Sequence, residues 1–348
     1  MKNKTPAVFE IGGEVVALGE RRNIQLPVAN LYTNTPVTLP VRVVRGREPG
    51  PTLFVSAALH GDEIIGVEII RRLLSLPVLK QLRGTLLAVP IVNTLAFLHH
   101  SRYLPDRRDL NRSFPGSERG SLAARLAHLF LKEIVGRSSY GIDLHTGAIN
   151  RPNLPQIRAD LTNPENLRLA RAFGAPLVLD SKPTKGTLRE YTTKKEIPVL
   201  LYESSEALRF DEVCIRIGVR GVLNVLEAIG MLPPGKRPHT PPPEPVRATT
   251  DSWVRASASG ILRAQVALGE EVHAGQVLGM IGDPMGELDE PVLASEAGVV
   301  IGRVSMPLVH EGDALFHIAQ LAEPGGAAGV ARRIRAEGAQ RKGHPRIV

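Results

Sequence analysis

Apolar residues recur along this chain with two different periods, and the periods come in alternation. From about residue 7 to 50 the pattern is one of short strands and turns. Residues 39–46 alternate apolar and polar side chains, as a half-buried strand does. Residues 52–59 form a largely apolar, strand-like stretch. Directly after it, apolar positions from Ile64 to Leu74 recur at helical spacing. The alternation continues with a buried strand over 84–93, a helix over 121–135 and a strand over 141–144. A helix over 163–173, strands over 176–179 and 197–202 and a helix over 213–229 follow. Strands interleaved with helices predict an α/β fold, a sheet flanked by helices, with its site at the carboxyl ends of the strands.

The pattern breaks at residues 231–246, which hold Pro233, Pro234, Pro238, Pro241, Pro242, Pro243 and Pro245. Such a run continues neither helix nor central strand, so it predicts a stiff spacer and a domain boundary. Residues 247–320 then read as all-β. A phrase of small residues, glycine, β-branched residues and a Gly turn occurs twice, around 257–279 and 293–316. This resembles the barrel-sandwich fold of lipoyl and biotinyl carrier domains. Between Lys236 and Lys342 there is no lysine to carry such a group, so a structural lobe or oligomerisation module is the reading. The expected organisation is a catalytic domain over 1–230, a linker over 231–246, a smaller β domain over 247–320 and a basic flexible tail, mobile or weakly helical, over 321–348.

Composition narrows the function classes. No apolar run approaches the length of a membrane span, and the start of the chain lacks an apolar signal core, so a cytoplasmic location without membrane contact is expected. A single cysteine, Cys214, excludes an internal disulfide and a thiolate zinc cluster; packing within a helix is its expected role. Half of the formal net charge of +8 comes from the last stretch, where Arg332, Arg333, Arg335, Arg341, Lys342 and Arg346 face only Glu323 and Glu337. Without aromatic interleaving or a nucleic-acid module, this reads as a solubilising tail and not as a specific nucleic-acid site. Homo-oligomerisation stays open.

The chemistry begins at His60-Gly61-Asp62-Glu63, where the first buried strand gives way to a turn. An imidazole and a carboxylate three residues apart can share a borderline metal such as zinc. A later strand ends in His145, and three protein ligands leave tetrahedral zinc an open position, as catalytic sites require. Asp143, two residues before His145, can hold the imidazole from behind; a strand-end turn cap is the plainer alternative. Asp109-Leu110-Asn111-Arg112 offers a guanidinium suited to a substrate carboxylate, or simply a surface loop with an Asp109–Arg112 ion pair.

Taken in order, His-Gly-x-Glu after a strand, Arg102-Tyr103 with Asp109-Leu110-Asn111-Arg112-Ser113-Phe114, Asp143-x-His145 and a late strand ending in Glu203 resemble the succinylglutamate desuccinylase/aspartoacylase family. The resemblance covers about residues 30–230. It implies a carboxypeptidase-like mixed sheet and one zinc per chain on His60, Glu63 and His145. It also implies that Arg102 polarises the scissile carbonyl, that Asn111 and Arg112 bind the substrate carboxylate, and that Glu203 is the catalytic base, with Glu206 its nearby competitor. The implied activity is a zinc-dependent deacylase in which a zinc-bound water attacks a small N-acyl amino acid. Arg189 does not match the family's second arginine in spacing, while Lys194 and Lys195 lie nearer Glu203, so acetyl and succinyl groups are both open. The rival readings are a metallocarboxypeptidase acting on short peptides and a non-catalytic metabolite-binding protein.

Overall fold

The structure, a computed structural model, describes residues 8–234, 244–323 and 326–339. The first residues, most of the proline spacer and the end of the basic tail lie outside this range. Short strands β1 (Phe9–Ile11) and β2 (Glu14–Val16) pair with each other. Then come β3 (Arg21–Asn30), β4 (Pro36–Arg45), β5 (Glu48–Ala57), α1 (Ile65–Ser75), β6 (Arg83–Val89), α2 (Thr94–Leu98), α3 (Leu122–Glu133) and β7 (Tyr140–Gly147). They are followed by β8 (Asn153–Ala159), α4 (Pro164–Phe173), β9 (Leu177–Asp180), α5 (Leu188–Lys194), β10 (Val199–Glu206) and α6 (Glu212–Ala228). Local chemistry sets the helix boundaries. In α4, for example, Asn163 caps the Glu165 N–H, Pro164 takes the first turn, and Gly174 closes the helix in the left-handed region.

Strands β6, β5, β7 and β10 run parallel at the centre of the sheet. Strand β8 lies antiparallel to β10 and parallel to β9, and β4 and β3 close the other edge antiparallel. Side-chain alternation then divides the residues between two faces. Ile142, Leu144, Ile157, Leu200 and Tyr202 point to one face and pack with Ile69 of α1, Phe173 of α4 and Val222 of α6. Fully burying a side chain of this size contributes roughly 1.5–3 kcal/mol. Asp143, His145 and Glu203 take the intervening positions and so face the opposite side. On that side Phe54 packs edge-on against Phe130 of α3.

The β-rich segment comprises β11 (Val246–Arg255), β12 (Gly260–Ala264), β13 (Glu271–Val272), β14 (Val277–Gly282), β15 (Asp289–Leu293), β16 (Gly298–Arg303), β17 (Leu308–Val309) and β18 (Ala314–Leu321). It does not stand apart from the catalytic sheet. Strand β11 pairs parallel with β9, so β11, β18, β16 and β13 extend the central sheet to 12 strands. A second, 4-stranded sheet faces them across a core that includes Leu262, Leu278, Val300 and Phe316. Among the described residues, no helix is long and apolar enough to cross a membrane.

Two local readings change. The stretch read as a mobile or weakly helical tail holds a regular helix, α7 (Ala327–Ala339). Its own Val330 is buried, and Glu337 accepts from the Arg220 guanidinium while its carbonyl accepts from Arg216 at 2.7 Å. Strand β8 was not expected at all. Pro155 in its middle and the polar Asn153, Gln156 and Arg158 hide a strand that nevertheless lies inside the sheet.

Candidate active site

The chain leaves β5 through Ala58, at φ 50°, and turns His60 and Glu63 inward; both are buried. Gly61 permits the turn, because a Cβ there would lie 2.0 Å from the Ala96 carbonyl carbon of α2. His145 comes from β7, next to β5 in the sheet. The ligand atoms of His60, Glu63 and His145 all lie within 4.8 Å of one another. Glu63 stands between the imidazoles, its two oxygens 2.6 Å from His60 Nδ1 and 2.8 Å from His145 Nδ1. The Thr146 N–H also donates to it at 3.1 Å.

Each imidazole is braced on its far side by another carboxylate. His60 Nε2 lies 3.0 Å from Asp109 and His145 Nε2 lies 2.7 Å from Asp143, which itself accepts from the Ser56 hydroxyl at 2.7 Å. Burial disfavours charge on all three central groups, but their mutual attraction prevails. Glu63 and Asp109 raise His60, Asp143 and Glu63 lift His145 well above the usual imidazole range, and the two imidazoles hold Glu63 far below the usual carboxylate range. Two nitrogen donors and one carboxylate, each Nδ1 turned toward a common centre and each Nε2 held from behind, fit zinc with an open coordination position. Asp109→Asn and Asp143→Asn are each expected to weaken metal binding by about 10- to 100-fold in chelator competition. Unchanged affinity in both would remove the braces from the account.

Arg102 borders this cluster. Its Nη1 is 3.3 Å from both His60 Nδ1 and Glu63, and its Nη2 donates to Asp109 at 2.9 Å. Asp109 therefore engages His60 and Arg102 in place of the Asp109–Arg112 ion pair that the sequence left open. Burial opposes its charge, but His60 and Arg102 hold Asp109 well below the usual carboxylate range. Arg112 instead donates to the Asn111 carbonyl at 2.7 Å. Buried Asn111 accepts the Leu188 N–H at 3.0 Å, which ties this loop to α5.

Glu203 lies in register with His145 on one side and with Gln156 on the other. Asn153 donates to its Oε1 at 2.6 Å and Arg158 to its Oε2 at 3.3 Å. Glu206 stands beyond an irregularity in the strand, where Ser205 has φ 62°, and its neighbours are Arg209 and the Ser305 hydroxyl. Arg189, discounted on spacing, donates to the Ser181 carbonyl at 3.0 Å. Burial, together with neighbouring Arg158, pushes it down to about 10 against the pull of Glu203. The Gln156 carboxamide is fully buried, with no hydrogen-bond partner among the described residues. Beside these groups a groove of about 630 Å³ opens between Arg158, Asp160, Asp180, Lys182, Arg189 and Asp251. Sequence reasoning missed Asn153, Gln156 and Arg158 because it missed β8; the signal was three polar residues amid apolar ones.

The sequence model of the succinylglutamate desuccinylase/aspartoacylase catalytic domain matches residues 49–229. The chain belongs to that family. Its match runs through every element that carries the site, and the chain is accordingly an enzyme of the deacylase type. A curated relative, the N-alpha-acetyl-L-2,4-diaminobutyric acid deacetylase of Halomonas elongata, is 29% identical over 320 residues, spanning 86% of this chain and 91% of that protein. A succinylglutamate desuccinylase/aspartoacylase from Rhodobacter sphaeroides superposes with a TM-score of 0.77 at 25% identity, covering 87% of this chain and 95% of that one. The product-bound ectoine utilization protein EutE (DoeB) from Ruegeria pomeroyi shares the fold, with a TM-score of 0.78 at 24% identity over 86% of this chain and 95% of its own.

Proposed function

We propose that this chain removes a short acyl group, acetyl in the first instance, from an N-acyl amino acid or a closely related small amide, with one zinc per chain. The observation that carries the reading is the buried His60–Glu63–His145 group, braced by Asp109 and Asp143 and flanked by Arg102. Similarity along most of the chain to a protein named as an N-acetyl-diaminobutyric acid deacetylase supports reading the acyl group as acetyl.

Bound to His60, Glu63 and His145, zinc would supply Lewis acidity and lower the pKa of a water from about 15.7 towards about 7. The residues divide the remaining work. Glu203 takes a proton from the attacking water and returns it to the leaving amine, a role worth about 10²- to 10⁴-fold in rate. Arg102 places its guanidinium where negative charge develops on the carbonyl oxygen, and such a donor contributes about 3 kcal/mol. Asn111 and Arg112 hold the carboxylate of the amino acid, for which the planar guanidinium fork is suited. Asp109 and Asp143 keep both imidazoles oriented for the metal. We read the C-terminal lobe as barrel-sandwich-like, on its two facing sheets around one core.

A panel of N-acetyl, N-formyl and N-succinyl amino acids together with dipeptides tests this, with zinc measured on the same sample. The expected result is preferred cleavage of N-acetyl amino acids at about one zinc per chain. Faster cleavage of dipeptides would turn the reading to a carboxypeptidase, and tight binding without turnover would turn it to a sensor.

A further inference from the structure

We propose that the C-terminal β domain positions the Glu203 carboxylate by controlling Arg158: Asp251 and His317 draw one arm of the Arg158 guanidinium away, so that Glu203 is steadied without being fully paired. The inference rests on the reading of Glu203 as the base.

Both side chains that grip Glu203 come from β8, and both are backed by the C-terminal domain. Asn153 packs against β16 at Gly302, where a Cβ would approach its Oδ1 to 2.6 Å. Arg158 gives Nη1 to Glu203 at 3.3 Å and Nη2 to Asp251 Oδ2 of β11 at 2.5 Å. The same Asp251 oxygen lies 2.7 Å from His317 Nε2 of β18. His317 is buried and stacked on Trp253, with ring centroids 4.3 Å apart and planes at 10°. Trp253 and His317 are direct partners across the β11–β18 ladder, so the stack is locked by the sheet. Burial opposes the charge of Asp251, yet His317 and Arg158 keep it below the ordinary carboxylate range, so it is an anion at neutral pH.

The arrangement matters because a free guanidinium prefers two parallel hydrogen bonds to one carboxylate. An Arg158 released from Asp251 can turn both arms onto Glu203 and occupy the lone pairs that a base needs. With Nη2 committed to Asp251, Glu203 receives one longer contact from Arg158 and one short contact from Asn153. Arg158, Asp251 and His317 are thus positioning residues that act through Glu203.

The test compares Arg158→Met, Arg158→Lys, Asp251→Asn, their Met/Asn double variant and Glu203→Ala in the full-length zinc enzyme. The substrate is the N-acetyl amino acid that the parent cleaves fastest. Misplacement of a base costs about 10- to 100-fold in kcat. That loss is expected in Asp251→Asn and Arg158→Met, with KM within about 2-fold and zinc content unchanged, and Arg158→Lys is expected to recover part of it. If Asp251 acts through Arg158, the double variant is no worse than Arg158→Met alone. Losses that multiply, or losses confined to KM, would overturn the proposal. If Arg158→Met fails to fold, His317→Gln, which retains a donor but loses the ring stack, must give the same kcat-selective loss. Parental activity in Asp251→Asn beside an inactive Glu203→Ala sinks this inference alone, whereas an active Glu203→Ala sinks the base assignment beneath it.

Discussion

Glu203→Ala is expected to lose turnover by about 10³-fold or more while retaining its metal. General acid–base catalysis is worth about 10²- to 10⁴-fold, and here one carboxylate serves in both proton transfers. The metal is expected to stay because the carboxylate's hydrogen-bond partners are Asn153 and Arg158, while the proposed ligands His60 and His145 are held by Asp109 and Asp143. Steady-state kinetics together with elemental analysis of the same preparation decide the matter. Parental turnover would pass the role to another group, with Glu206 the first to test.

His145→Ala is expected to do the opposite, removing metal and activity together. The substitution deletes one of three ligands and leaves Glu63, fully buried, with one imidazole fewer to balance its charge. Asp143 loses its imidazole partner as well and keeps the Ser56 hydroxyl. Removing one member of a buried ion pair typically costs about 3–5 kcal/mol, so a clear fall in melting temperature accompanies the metal loss. Full zinc content in this variant would break the ligand assignment.

The contrast between the two variants follows from how the sheet distributes its residues. His145 and Glu203 are register partners on β7 and β10, yet one turns to Glu63 and the other to β8. A single strand spacing separates the group that fits a metal from the group that fits a proton.

The regular elements that bring these residues together were largely legible in the chain. The helix expected to begin at Ile64 starts at Ile65, and those over 163–173 and 213–229 are α4 and α6 within a residue at each end. Each carries a strong 3.6-residue apolar period, which packing against the sheet only reinforces. Strand β8 stayed hidden for the converse reason: its apolar run is broken by Asn153, Pro155, Gln156 and Arg158, of which Asn153 and Arg158 bond to Glu203. Helix α7 read as no more than weakly helical because its sequence is rich in Gly, Ala and Arg, and its contacts include Arg216 and Arg220 of α6, far away in sequence.

The sequence by itself determined the α/β alternation, the turn that glycine allows after β5, and the order of the blocks that identify the family. These are local properties, written in periodicity and in neighbouring residues. Only the tertiary structure decided what each polar group serves. It turned Asp109 from a loop anion beside Arg112 into the brace of His60 and the partner of Arg102. It enclosed Arg189 near Glu203 despite its spacing, and it tied Glu203 through Arg158 to Asp251 and His317 in the C-terminal domain. Most of those pairings span tens of residues along the chain, and which partner a buried charge takes depends on what the completed sheet places within a hydrogen bond of it.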